Sequence, residues 1–199
     1  MSFPKFNRLQ WLAHTGALFP LAWLLWDAAI DNLTANPIQA ITLRTGKAAL
    51  ILLTLALACT PAQMLGWRGV SKVRRALGLY AFLYVCLHLF TFIGLDYGFD
   101  FGLILADVGS KRYVLIGLAA FLILLPLAVT SFQWWQKRLG KNWKRLHRAV
   151  YVAVPLAVIH YLWQVKADVR QPLLFAAIVS LLLLMRLPAI RRSIAKLKK

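Results

Sequence analysis

The sequence predicts an all-α, polytopic membrane protein: a six-helix transmembrane bundle with both termini cytoplasmic. Three observations carry that prediction. Hydrophobic residues make up 61% of the 199 and charged residues only 15%, a balance that no soluble globular domain needs. The apolar residues come in runs long enough to cross a bilayer, which takes about 20 residues of helix. The acidic residues, finally, all fall on one set of connections between those runs.

The runs lie at roughly 9–29, 46–65, 76–95, 113–131, 148–165 and 172–187 by the window logic of hydropathy. They leave little chain over, so residues 1–199 read as a single membrane domain without a soluble domain, repeat or long linker. Lys5 and Arg8 precede the first run as they would precede a signal peptide. That run exceeds the roughly 7–15 apolar residues of a signal sequence and carries His14, Trp23 and Trp26, so it reads as a retained span.

Charge sets the orientation. The acids are Asp27, Asp31, Asp96, Asp100, Asp107 and Asp168, all on the side reached after spans one, three and five. Arg44, Lys47, Lys111, Arg112, Lys166 and Arg170 balance them there, so the whole net charge of +18 lies on the other face. The positive-inside rule makes that face cytoplasmic. Basic residues beside spans answer to topology and anionic lipid headgroups, and nucleic acid is not implied. The tail from Arg191 to Lys199 is expected along the lipid surface, and the eight tryptophans fit interfacial belts. Cys59 and Cys86 lie in different spans and read as small packing residues; no C-x-x-C-H signals covalent haem.

The four histidines are His14, His88, His147 and His160. Imidazole in a lipid-facing stretch costs free energy unless it has a partner, and it is the common protein ligand for iron. Spans three and five run the same way, and His88 and His160 each lie twelve residues in. At about 1.5 Å per residue both sit roughly 18 Å from the cytoplasmic edge, in the outer half of a hydrocarbon core of about 30 Å. Two neutral imidazoles at one depth can clamp a flat macrocycle and fill both axial positions of a haem iron. That suits electron transfer rather than substrate binding at the metal. A lone intramembrane histidine is as readily a hydrogen bond between helices; the matched depth favours the ligand pair.

His147 lies thirteen residues before His160, about 220° around an ideal helix. It faces away unless Pro155 changes the local phase. The position thirteen before His88 is Arg75, which cannot ligate iron but can pair with a haem propionate. A second, inner haem needs another ligand on that side, and His14 is the one available histidine. A His14–His147 inner site, an interfacial hydrogen bond and a contact to a cofactor phosphate stand as alternative readings.

The run Arg74-Arg75-Ala76-Leu77-Gly78-Leu79, followed by Tyr84, Leu87 and His88, resembles the third span of the ferric reductase-like transmembrane family. The block from Arg138 to Tyr151, with His160-Tyr161-Leu162-Trp163, Thr45-Gly46-Lys47-Ala48-Ala49-Leu50, Thr60-Pro61 and Lys111-Arg112-Tyr113, is similar to the bacterial YedZ/MsrQ family. The likeness runs from His14 to the basic tail. Some members carry a proline between the residues matching Arg112 and Tyr113; this chain does not.

The resemblance implies a haem-bearing subunit of a periplasmic methionine sulfoxide reductase system in the bacterial inner membrane. Such a subunit passes electrons to a soluble molybdenum-cofactor reductase that repairs oxidised proteins. It also implies b-type haem, one or two, and FMN, with electrons from the quinone pool or a cytoplasmic flavin reductase. His88 and His160 then carry over as haem ligands, with His147 next. The residues agree where they can. No G-x-G-x-x-G or nucleotide domain is present, so the chain cannot take hydride from NAD(P)H unaided. The basic segment 132–146 is expected to face a donor, a flavin phosphate or lipid. The aspartate-bearing segment 96–112 is expected to be a plain connector or the docking site for the periplasmic partner. The alternatives are a stand-alone membrane metal-ion or quinone reductase, and a non-redox transporter or assembly bundle.

Overall fold

The computed structural model describes residues 7–196, and every regular element among them is helical. Lys5 and the last residues of the basic tail, 197–199, lie outside the described residues.

Helix α1 (Arg8–Ala29) begins with a capping box. The Asn7 side chain accepts from the Gln10 N–H at 2.8 Å, and the Gln10 side chain accepts from the Asn7 N–H at 3.0 Å. Its exposed face carries Trp11, Phe19, Trp23 and Trp26. Helix α2 (Pro37–Met64) starts at Pro37 rather than near 46. Asn36 caps it, accepting from the Gln39 N–H at 3.0 Å, and Pro37 occupies the first turn. Arg44 and Lys47 therefore ride on the helix. Arg44 donates to Asp27, a carboxylate 4% exposed that also accepts from Trp23 Nε1 at 2.9 Å and Asn32 Nδ2 at 3.2 Å. These bonds tie α1 to α2 and neutralise a charge that would otherwise be costly to bury.

Helix α3 (Ser71–Phe90) continues into a π-helical turn, Thr91–Asp96. The segment 96–112 is not a bare connector: it contains α4 (Phe101–Ser110), capped by Asp100, which accepts from the N–H groups of Gly102 and Leu103. Asp107 at its far end accepts from Tyr97 and Lys111, and the Asp107 hydrogen bond holds the Lys111 ammonium above its ordinary pKa. Then come α5 (Arg112–Val129), α6 (Gln133–Leu139) and α7 (Lys141–Leu146). A 3-10 turn at His147–Ala149 leads into α8 (Val150–Gln164), followed by α9 (Arg170–Leu184) and α10 (Pro188–Lys196).

Among the described residues, four stretches are long and apolar enough to cross a membrane: Pro37–Met64, Ser71–Asp96, Arg112–Val129 and Lys141–Gln164. Helix α1 has the length but is less apolar, and α9, at 15 residues, is apolar but short. The four form two pairs. Helix α2 packs mainly on α3, and α5 mainly on α8, while the pairs touch each other more lightly. Small residues let the backbones approach: Ala81 of α3 and Ala153 of α8 are fully buried. Tyr84, 1% exposed, donates to the Ala17 carbonyl at 2.8 Å and fixes α1 on α3. Buried Thr45, Thr54, Thr91 and Thr130 each return the hydroxyl proton to the carbonyl four residues back, leaving no polar hydrogen facing lipid.

Pro61 lies inside α2 and has no N–H for the carbonyl of Leu57, four residues back. Arg186, just past α9, supplies the missing donor. Its Nη2 donates to the Leu57 carbonyl and its Nη1 donates to the Tyr151 hydroxyl at 2.5 Å, with the guanidinium 4.8 Å over the Tyr151 ring. Its Nε–H is buried without a partner among the described residues.

Candidate functional site

His88 and His160 meet across the seam between the two helix pairs. Their ring centres are 6.0 Å apart and their planes stand at 85°. His88 comes from α3, and its Nδ1–H donates to the Thr42 carbonyl of α2 at 2.9 Å. His160 comes from α8, and its Nδ1–H donates to the Tyr113 carbonyl of α5 at 2.7 Å. A carbonyl only accepts, so each Nδ1 must carry the proton, and in the neutral ring Nε2 keeps its lone pair. No hydrogen bond reaches either Nε2 among the described residues.

This donor set fits a bis-imidazole haem. Metal–imidazole bonds of about 2 Å plus the half-width of each ring would set two rings holding one metal roughly 6 Å apart centre to centre, and the separation here is 6.0 Å. A backbone carbonyl on the second nitrogen is the usual device for fixing the tautomer and orientation of a ligating histidine. The Tyr113 ring lies 6.1 Å from His160, and Phe82 of α3 stacks on Phe121 of α5 at 5.9 Å between the two helix pairs. The described residues hold no cluster of three or more His, Cys, Asp or Glu, and Cys59 and Cys86 are free on separate helices.

The remaining candidates lie elsewhere. His14 of α1 is 2.9 Å, Nδ1 to hydroxyl oxygen, from Tyr80 of α3. His147 sits in the 3-10 turn before α8, its Nε2 3.1 Å from Thr130 Oγ1 and its ring 4.1 Å from the Trp143 ring. The Thr130 hydroxyl already donates to the Pro126 carbonyl at 2.6 Å, so His147 is the donor to Thr130 and its Nε2 is committed. Trp143 donates to the Thr130 carbonyl at 2.8 Å, which completes the joint between α5 and α7. Arg75 is exposed, with its guanidinium 5.8 Å over the Phe132 ring. Next to this joint an open cavity of about 540 Å³ is lined by Gly140, Lys141, Lys144, Arg145 and Arg148. The structure thus brings His88 and His160 together, and gives His14, His147 and Arg75 other partners. Sequence reading missed the Thr42 and Tyr113 carbonyls, since a backbone acceptor leaves no trace in residue type.

The family model for the ferric reductase-like transmembrane component matches residues 45–158, which include His88 and end two residues before His160. Curated relatives extend over most of the chain. A protein-methionine-sulfoxide reductase heme-binding subunit MsrQ of Rhodospirillum rubrum is 51% identical, the match covering 88% of this chain and 86% of the relative. Proteins of the same name are 43% identical in Xanthomonas axonopodis pv. citri (86% of this chain, 82% of the relative) and 42% in Caulobacter vibrioides (94% and 89%).

Proposed function

From the premise that this chain belongs to the ferric reductase-like transmembrane family, and within it to the haem-binding MsrQ subunits of the protein-methionine-sulfoxide reductase system, we propose that it relays electrons through the membrane to a periplasmic partner. The partner is a molybdenum-cofactor methionine sulfoxide reductase that repairs oxidised proteins, and the donor is quinol or a cytoplasmic flavin reductase. The one observation that carries this reading is the His88–His160 pair, with both Nδ1 protons on backbone carbonyls and both Nε2 lone pairs available.

His88 and His160 would hold a b-type haem, which when bound would supply one-electron transfer rather than substrate chemistry at the metal. The residues do the rest. Thr42 and Tyr113 hold the imidazoles in the ligating tautomer. The chain crosses the bacterial inner membrane six times, α1 and α9 included, with the basic face and both termini in the cytoplasm. The charge asymmetry supports this topology. Arg138 lies 5.1 Å over Trp134 at the basic end, and the cationic lining of the open cavity (Lys141, Lys144, Arg145 and Arg148) supports a donor or a flavin phosphate on this side. On the opposite side α4 exposes Phe101, Leu103 and Leu105, where the periplasmic partner docks. A second haem at the inner level, near His147, His14 and Arg75, would take His147 through Nδ1 while Nε2–H stays on Thr130, or through Nε2 once that bond is broken.

The test is a dithionite-reduced minus oxidised spectrum of purified protein. Sharp α and Soret bands of low-spin b haem are expected, and their absence refutes the relay. His88→Ala and His160→Ala are each expected to abolish the low-spin spectrum; full low-spin haem in both variants refutes the ligand assignment. Reduction of the haem by quinol or by a flavin reductase, and its reoxidation by the molybdenum subunit, then identify donor and acceptor.

A further inference from the structure

The two imidazoles are held by the same device used twice. Thr42, which accepts the His88 proton, lies four residues before Gly46 on α2; Tyr113, which accepts the His160 proton, lies four residues before Gly117 on α5. Four residues is about one helical turn, so each acceptor carbonyl and its glycine share one helix face. A Cβ on Gly46 would lie 3.1 Å from both Cε1 and Nδ1 of His88. A Cβ on Gly117 would lie 2.7 Å from Nδ1 and 2.8 Å from Cε1 of His160. Both glycines are helical, so the missing side chain, and not an unusual backbone angle, is what the site requires. Without a Cβ the Nδ1–Cε1 edge of the ring comes up against the neighbouring helix within reach of the carbonyl; with one, the ring must tilt or slide away and the hydrogen bond lengthens.

We infer that Gly46 and Gly117 are positioning residues for the haem ligands: each forms, with the carbonyl one turn before it, a cradle that sets the orientation of one imidazole. Together the cradles hold the ring planes nearly perpendicular. The cradle acts through the histidine and touches no cofactor atom. The inference rests on the haem reading above, and it assigns a chemical task to two residues whose side chain is a single hydrogen. Imidazole orientation governs the anisotropy of the low-spin ferric signal, and the hydrogen bond at Nδ1 governs how strongly the ring donates to iron. Both are readable without any partner protein.

The experiment compares Gly46→Ala, Gly117→Ala and Gly78→Ala in purified full-length protein, by haem content, low-temperature electron paramagnetic resonance and spectropotentiometric titration. Gly78 is a helical glycine on α3 where an added Cβ meets nothing within 4 Å. It therefore controls for the general effect of alanine on a helix. Expected is a graded response: Gly117→Ala loses most low-spin haem or shifts its anisotropy and potential strongly, Gly46→Ala shifts both by less, and Gly78→Ala keeps the parental signal. Should Gly117→Ala fail to accumulate in the membrane, the softer Gly46→Ala contact carries the test. Parental resonance and potential in Gly46→Ala overturn the inference, as does an equal disturbance in Gly78→Ala. Absence of haem from the parent protein would instead refute the haem reading, so the two failures are distinct.

Discussion

Replacing Arg186 by methionine tests the account of how α2, α8 and α9 are locked, because the structure supplies both the loss and its rescue. The Leu57 carbonyl belongs to a residue 3% exposed, and Pro61 denies it the usual helical donor. Arg186 is the donor it receives. In Arg186→Met the carbonyl is left unsatisfied, at a cost of about 1–3 kcal/mol. The Tyr151 bond goes with it, while relief of the orphaned Nε–H and of the charge's desolvation offsets part of the loss. The single variant alone is therefore a blunt test. Pro61→Ala sharpens it, since the new backbone N–H at position 61 can pair with the Leu57 carbonyl inside the helix. In the parent that donor competes with Arg186; in Arg186→Met it repairs the defect. The double-mutant cycle should show a coupling of about 1–2 kcal/mol in favour of the double variant. That is roughly 2–8 °C of melting temperature at about 2–4 °C per kcal/mol for a chain of this size. The assay is thermal unfolding in one detergent, followed by circular dichroism. Additive effects within about 0.5 kcal/mol would refute the carbonyl argument.

Three further outcomes are expected. His147→Ala should keep the low-spin spectrum of the His88–His160 site, because the two levels are about 20 Å apart along the helix; loss of all haem would contradict that assignment, and the haem-to-chain ratio tells whether an inner site exists. Tyr84→Phe removes one buried hydrogen bond to the Ala17 carbonyl and should lower stability by about 1 kcal/mol, with the spectrum unchanged; a spectral change would mean that α1 steers α3 near the site. Ala81→Leu forces bulk into a fully buried interface and should destabilise by about 1–3 kcal/mol, read as a lower melting temperature; an unchanged melt would mean that α2 and α3 are less closely packed than described.

The depth argument was legible in the sequence because it needs only counting. Twelve residues into span three and twelve into span five lead to His88 and His160, and the two rings do meet. Orientation of those rings was not legible, because it depends on which carbonyl of a neighbouring helix each imidazole reaches. Thr42 and Tyr113 act through backbone atoms, and Gly46 and Gly117 act by what they lack. Hydropathy windows placed the start of span two near 46, because Gln39, Thr42, Arg44 and Thr45 dilute the average before it. The helix starts at Pro37, since Asn36 caps it and Asp27 neutralises Arg44. The short helix α4 was hidden for a related reason: Asp100 and Asp107 read as loop charges but serve as its cap and as a tether for Tyr97 and Lys111. His147 was ambiguous in the sequence, and helical phase was a sound warning, since Thr130 and Trp143 claim its ring.

The division of the bundle into two helix pairs has a consequence for biogenesis. Each pair owns one histidine and the carbonyl that orients it: α2 and α3 hold His88, and α5 and α8 hold His160. The first pair can be ready before the second emerges from the ribosome, and on the proposed reading neither pair alone offers both haem ligands. Because the seam between the halves is lightly packed, a ligand grasped from both sides adds its binding energy to their docking. Cofactor loading and closure of the bundle thus become one event. A chain cut within the segment 96–112 should reassemble from its two parts in a manner that depends on haem supply, which makes cofactor availability a checkpoint on folding as well as a requirement for activity.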